Sequence, residues 1–220
     1  MHNLQSFYAG ICFDMDGVLT DTVPFHDEAW RLFAREHLGL DLAPNDPRVH
    51  TGTSVEILMR LAGVSREQAL RMSQTKEAMF KWLATGRLRP LPGLSDYLAW
   101  LDQHGIPTAL VTNAPLENVD FTLAELGLES AFDHIIAAEH SPQGKPDPTP
   151  YLIGARQLGL APGDCLVHED SAAGIRAATL AGMDVAALRT TLSGAELSEL
   201  GAKWSSSDYR QWLSTLETWQ

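Results

Sequence analysis

Apolar and polar positions along this chain fall into two regimes. The runs 7–13, 107–112, 134–138, 164–168 and 184–188 are short, continuous and apolar, the pattern of strands buried on both faces. Between and after them, residues 95–104, 116–126, 149–158 and 172–181 show helical spacing, with Gly127, Gly159 and Gly182 as stops. Strands alternating with helices predict parallel βαβ units. From Pro24 to about Gly86 only helical spacing occurs. Phe25, Ala29, Leu32 and Phe33 predict a helix through about Leu38, with Pro24 in its first turn and Gly39 as its stop. Ser54 is expected to cap a helix over 54–62. Ser65 and Gln68 form a capping-box pattern at the head of a third helix, whose apolar positions include Ala69, Met72, Met79, Phe80 and Leu83. The expected fold class is α/β, a doubly wound parallel-sheet core (residues 1–22 and 90–220) with an inserted all-helical cap (residues 23–89).

In open parallel sheets, ligands bind beyond the carboxyl ends of the strands, so the residues just past each apolar run matter most. The first run ends in Asp14, Met15, Asp16 and Gly17. Two residues apart on an extended chain means the same side. Asp14 and Asp16 are therefore expected to point together, with Gly17 permitting a sharp turn. Carboxylates that close repel in a dry site unless a cation or a shared proton offsets the charge. An acidic surface turn is the simpler reading of a bare Asp-x-Asp; the other strand ends argue against it. The second run ends in Thr112 and Asn113, the fourth in His168, Glu169, Asp170 and Ser171.

Asp14, Asp16 and Asp170, with Glu169 nearby, are candidate ligands for one hard cation, and carboxylates with room for water suit Mg²⁺. Asp170 or Ser171 is also placed to cap the next helix. Thr112, Asn113 and the N–H groups ahead of the helix begun by Pro115 form a candidate anion site. Lys145, held between Gly144 and Pro146, is a candidate fixed cation for that anion. A cation, an anion pocket and a spare carboxylate suggest phosphoryl transfer. Asp14 would attack phosphorus. Asp16 would protonate the leaving alcohol and then deprotonate water. Lys145 and the metal would stabilise charge on the group in transit.

Composition narrows the partners. The chain has 220 residues and a net charge of −12, which argues against nucleic acid and anionic membrane surfaces. Cys12 and Cys165 each lie inside an apolar run, as buried reduced cysteines do. The first residues lack a basic start and a long apolar stretch, and no apolar run approaches bilayer length. A cytoplasmic location without a membrane partner is expected.

The segments DMDGVLTDT, VTNAP, KPDPTPY and VHEDSAAGI resemble, in order and over nearly the whole chain, the four motifs of the haloacid dehalogenase superfamily. Within it, the chain is similar to the β-phosphoglucomutase-like group of sugar-phosphate phosphatases, which have a Rossmann-like core and a helical cap inserted after the first motif. The resemblance implies Asp14 as nucleophile and Asp16 as acid/base, the latter also binding Mg²⁺ through its backbone carbonyl. It implies Thr112 and Lys145 on the phosphoryl group, and Glu169 and Asp170 at the metal. Thr22 and His26 lie where similar enzymes have cap-side hinge and shuttle residues. Trp30, Thr53 and Arg87 are further candidates for selecting the substrate.

Phosphoglucomutases of this group carry a lysine and an arginine in the stretch that resembles VHTGTSVEIL, where this chain has Thr51 and Val55. His168 stands where the group more often has a small or aromatic residue. The expected function is a Mg²⁺-dependent phosphatase of small phosphorylated metabolites, sugar or polyol phosphates, acting as a monomer or weak homodimer. The alternatives are a sugar phosphomutase and a non-enzymatic, receiver-like module in which an aspartyl-phosphate is a signal.

Overall fold

Six parallel strands form one sheet among the described residues of the computed structural model, which are 4–49 and 52–217. They are β1 (Gly10–Phe13), β2 (Thr108–Val111), β3 (His134–Ile136), β4 (Cys165–Glu169), β5 (Asp184–Leu188) and β6 (Trp204–Ser206), in the spatial order β3-β2-β1-β4-β5-β6. The chain steps outward from β1 through β2 to β3, then returns beside β1 with β4 and steps outward the other way. The reversal falls between β1 and β4, and a reversal of this kind opens a crevice at the carboxyl ends of the strands. Phe13 lies opposite Leu110 on one side and His168 on the other. Asp14 and the turn beyond it thus emerge beside Glu169 and Asp170.

The continuous apolar runs are explained by helices on both faces. Ile11 and Phe13 enter a core shared with α5 (Leu94–Gln103) and α10 (Tyr209–Glu217), through Tyr97, Leu101, Tyr209 and Trp212. Cys12, between them in sequence, enters the opposite core with α7 (Thr149–Gln157) and α8 (Ala172–Leu180), through Tyr151, Ala155 and Ile175. This is the period-two alternation of a strand.

The chain divides into two units, Met1–Asp21 with Arg89–Gln220, and Thr22–Leu88. The second contains no strand among its described residues. It is built from α2 (Val23–Phe33), a π turn (Ala34–Leu38), a 3-10 turn (Pro47–Val49), α3 (Ser54–Ala62) and α4 (Arg66–Ala84). Its core gathers Trp30, Phe33, Ile57, Leu58 and Ala69.

Local differences from expectation have local causes. The first strand begins at Gly10, because Leu4–Phe7 is a helical turn (α1) that leaves Phe7 59% exposed. The helix expected through Leu38 is α-helical only to Phe33 and then widens into the π turn, which Gly39 ends in the left-handed region. The cap of α3 is Thr53, one residue before the expected Ser54. Extended Thr53 accepts the Glu56 N–H and Glu56 returns a bond to the Thr53 N–H, completing a capping box. Ser65 and Gln68 form theirs as expected. β6, α9 (Gly194–Glu199) and α10 come after the last apolar run that the sequence pattern reveals. A three-residue strand reading Trp-Ser-Ser is too short to show a period.

Candidate active site

Lys145 sits at the meeting point of three strand ends. Its Nζ donates to Asp14 Oδ1 at 2.8 Å, to Glu169 Oε1 at 2.7 Å and to the Val111 carbonyl at 2.8 Å. Asp14 directly succeeds β1, Val111 ends β2 and Glu169 ends β4. An ammonium has three donors, and all three are used. The loop that delivers Lys145 is pinned by Asn113, whose Oδ1 accepts the Lys145 N–H at 2.8 Å and whose Nδ2 donates to the Lys145 carbonyl at 3.1 Å. The Asn113 side chain therefore holds the lysine loop, where an anion contact was expected of it. Thr112 Oγ1 accepts the Ala114 N–H at 3.0 Å, which leaves its proton to donate. The N–H of Leu116 at the head of α6 (Leu116–Leu126) is taken by Glu139 at 3.0 Å, so one of the expected anion donors already serves the chain's own carboxylate.

Glu169 is fully engaged by the protein. Oε1 accepts from Lys145 and from the Tyr151 hydroxyl at 2.9 Å; Oε2 accepts from the backbone N–H groups of Asp170 and Ser171 and from the Ser171 hydroxyl. Ser171 is also the cap of α8, accepting the Gly174 N–H. Gly174 leaves the room that Glu169 occupies: a Cβ there would lie 1.6 Å from Oε1. Asp170 Oδ2 accepts from the Thr191 hydroxyl and lies 3.2 Å from Thr190 Oγ1. Tyr151, whose ring centroid is 4.6 Å from Lys145 Nζ, and the two threonines were not found by sequence reasoning. Only Tyr151 carried a signal, as the last residue of KPDPTPY.

Among the described residues, Asp14, Glu169 and Asp170 bring ligand oxygens within 4.8 Å of one another, all three buried. The Asp16 side chain is outside this group. The same-side argument needs an extended chain, but β1 ends at Phe13 and half-buried Asp16 lies in the turn beyond it, bridging to Thr20. Its charge still reaches Asp14. Burial pushes Asp14 up to about 7; Lys145 opposes this, and Glu169 and Asp16 add to it. Burial also drives Asp170 upward, with Glu169 and Asp14 next. Burial opposes the charge on Glu169 and on Lys145 too, but Lys145 holds Glu169 below the usual carboxylate range, and Asp14 with Glu169 holds Lys145 above the usual amine range. One ammonium thus faces three buried carboxylates. A closely grouped set of hard oxygen donors, two of which the protein alone disfavours ionising, fits a Mg²⁺ ion that would offset their charge.

His168 is a core residue. Its Nδ1 lies 3.1 Å from the Ala186 carbonyl, which can only accept, so Nδ1 carries the proton and Nε2 accepts from Tyr97 at 3.1 Å. The ring stacks on Phe13 and meets Tyr209 and Trp212 edge-on. Burial pushes it down to about 3, so it is neutral.

The Thr22–Leu88 unit has a polar cluster of its own. Buried Lys76 contacts Glu77 Oε1 at 2.8 Å and His26 Nδ1 at 3.1 Å, and its Nζ lies 5.0 Å from the Trp30 ring centroid. Glu77 also accepts from Ser54 at 2.5 Å, and His26 stacks on Phe80. Thr22 is buried at the head of α2. The other selectivity candidates of this unit have visible structural tasks. Trp30 belongs to its core, Thr53 caps α3, and Arg87 lies over Phe25 and donates to the Leu83 carbonyl. Thr51 lies outside the described residues.

Comparison with known proteins agrees with this geometry. The family model described as haloacid dehalogenase-like hydrolase matches residues 8–182. Hexitol phosphatase A of Escherichia coli (strain K12) is 32% identical over 195 residues, 87% of this chain and 88% of that protein. Fructose-1-phosphate phosphatase YqaB of the same organism is 33% identical over 187 residues, 83% of this chain and 97% of that protein. The crystal structure of beta-phosphoglucomutase from Clostridium difficile superposes with a TM-score of 0.80 at 26% identity, covering 93% of this chain and 92% of that one. The chain belongs to the haloacid dehalogenase-like hydrolases, as a phosphoric monoester hydrolase. No described helix is long and apolar enough to cross a membrane.

Proposed function

We propose that this chain is a Mg²⁺-dependent phosphatase that releases phosphate from small sugar or polyol phosphates by way of an aspartyl-phosphate. The observation that carries the reading is the Asp14–Lys145–Glu169 arrangement with Asp170 beside it. It presents a carboxylate, an immobilised ammonium and a site for a cation at the ends of three adjacent strands.

Asp14 Oδ2 accepts no hydrogen bond from the described residues, which suits it to attack phosphorus. As the O–P bond to Asp14 forms, the ester bond to the leaving alcohol breaks. Asp16 gives that oxygen a proton and then takes one from water, which displaces Asp14 and completes hydrolysis. The Thr112 hydroxyl binds a phosphoryl oxygen, and Lys145, its three N–H groups already committed, stabilises the charge on the phosphoryl group through its positive field. Asp14, Asp170 and the Asp16 backbone carbonyl would hold Mg²⁺, with Glu169 beside them, and the ion would supply neutralisation of charge at the phosphoryl group.

Hydrolase membership removes the receiver-like alternative. Against a mutase stands Val55, an apolar side chain packed on the core of its unit where a second phosphate would need a cation. The test is phosphate release from hexitol phosphates, hexose phosphates and phosphoglycolate, with Mg²⁺ or with EDTA. Release from sugar or polyol phosphates that EDTA abolishes is expected. Release indifferent to EDTA, or absent from every ester, contradicts the reading.

A further inference from the structure

The acidic group around Lys145 is gripped from a direction that the proposed chemistry does not use. The loop after β5 brings two hydroxyls to one oxygen of Asp170. Thr191 Oγ1 donates to Oδ2, and Thr190 Oγ1 lies 3.2 Å from the same atom and 2.6 Å from the Gly17 carbonyl. Gly17 has φ +73°, and a Cβ there would lie 2.0 Å from Asp170 Oδ2 and 3.1 Å from Thr190 Oγ1. Segments beyond β1, β4 and β5 therefore converge on a single carboxylate oxygen. The third segment is itself anchored. The Arg189 N–H donates to the Ser206 carbonyl at 2.9 Å, and its guanidinium reaches Gln211 Oε1 at 2.8 Å.

We infer that Thr190 and Thr191 are positioning residues, Thr191 fixing the rotamer of Asp170 and Thr190 the Gly17 turn beside it, and that together they set the affinity of the acidic cluster for its cation. The inference rests on the proposed Mg²⁺ site. Oδ2 accepts the Thr191 hydroxyl, while Oδ1 makes no hydrogen bond with a described residue and is the oxygen presented to the ion. Rotating the carboxylate would break the Thr191 bond inside a nearly inaccessible site, where Asp170 is 2% exposed. Thr190 adds a second constraint. Its one proton goes to the Gly17 carbonyl at 2.6 Å, which ties the turn that carries Asp16 to the loop that holds Asp170 through Thr191. Hydrogen-bond partners of metal-binding carboxylates act in this way, and their loss weakens binding.

The experiment is calorimetric titration of the metal-free full-length chain with Mg²⁺ alone. Thr191→Val and the double variant Thr190→Val/Thr191→Val are expected to bind roughly 10–100-fold more weakly than wild type, and Thr191→Ser to bind as wild type does. The Mg²⁺ concentration giving half-maximal phosphate release should rise by the same factor, while kcat at saturating Mg²⁺ is retained. Thr191 is exposed, so Thr191→Val alone decides the matter if the double variant melts far below wild type. Wild-type affinity in Thr191→Val overturns the inference. So does equal weakening in Thr191→Ser, which would assign the effect to shape and not to the hydroxyl. A wild-type chain that takes up no Mg²⁺ overturns the cation reading itself, and that failure shows before any variant is made.

Discussion

Asp14 and Asp16 illustrate how far two residues of the same kind can differ once the backbone turns. The nucleophile candidate is buried, ion-paired and grouped with two other carboxylates; its neighbour two positions on is half-buried and outside that group. A carboxylate nearer to solvent can exchange its proton, which suits an acid that must reload as a base. Asp16→Asn is expected to lower kcat by roughly 10²–10⁴-fold, the range for general acid–base help, with little change in melting temperature. A loss below tenfold, measured as steady-state phosphate release, removes that role. Asp14, Lys145 and Asp170 were legible because each stands just past an apolar run or between a glycine and a proline. Tyr151 was marked only by its place at the end of KPDPTPY, and Thr190 and Thr191 reach the site through single hydroxyls, which leave no pattern. Lys76 was illegible for a sharper reason: a lysine on a helix ordinarily reads as solvated surface, yet this one is 1% exposed because Glu77, His26 and two aromatic rings receive it.

At the scale of elements, the β4–α8 junction shows packing and chemistry sharing one space. Ala in place of Gly would ordinarily favour a helix by about 1 kcal/mol. At Gly174 the added methyl would overlap the Glu169 carboxylate, and overpacking of this kind costs about 1–3 kcal/mol or more. The clash outweighs the propensity. Gly174→Ala is therefore expected to lower the denaturation midpoint and phosphate release together, by displacing the partner of Lys145. Unchanged activity would show that Glu169 can move without consequence.

In α4, Lys76 and Glu77 give a pH signature. Burial alone would raise Glu77, but the Lys76 charge, the neighbouring His26 ring and the Ser54 hydroxyl hold it below the ordinary range. Its contribution to stability is therefore present above the unfolded carboxylate value of about 4.3. That contribution is lost as pH falls through the lower folded value. Glu77→Gln should cost roughly 3–5 kcal/mol at pH 7, the usual cost of leaving a buried charge without its partner. It should also flatten the acid limb of the stability curve. Denaturant titrations between pH 3 and 7 check both, and a wild-type curve would contradict the pairing. The types of β1 to β5 and of the helices between them were readable from apolar runs and helical spacing, whereas ends were less so. The first strand lost residues 7–9 because Tyr8 fills the core from outside the strand, and apolar content cannot distinguish a strand from a buried approach to one.

The whole molecule has to bring an anionic ester to a chain of net charge −12. Its fold answers locally, by returning β4 beside β1 so that the acids flank one lysine and a place for a cation. Alternating strands and helices announced a doubly wound sheet in the sequence. The strand order that sets Asp14 beside Glu169 and Asp170 did not emerge from the pattern and had to be seen. Edge strand β6 and the helices around it left too short a trace to be read.

The central claim is that Asp14 carries the phosphoryl group during turnover. It is tested most directly by rapid acid quenching of the Mg²⁺-loaded enzyme with ³²P-labelled sugar phosphate, then hydroxylamine treatment. The account predicts acid-stable, hydroxylamine-labile label on wild type and none on Asp14→Asn, which also releases no phosphate. Label or wild-type turnover persisting in Asp14→Asn would contradict it.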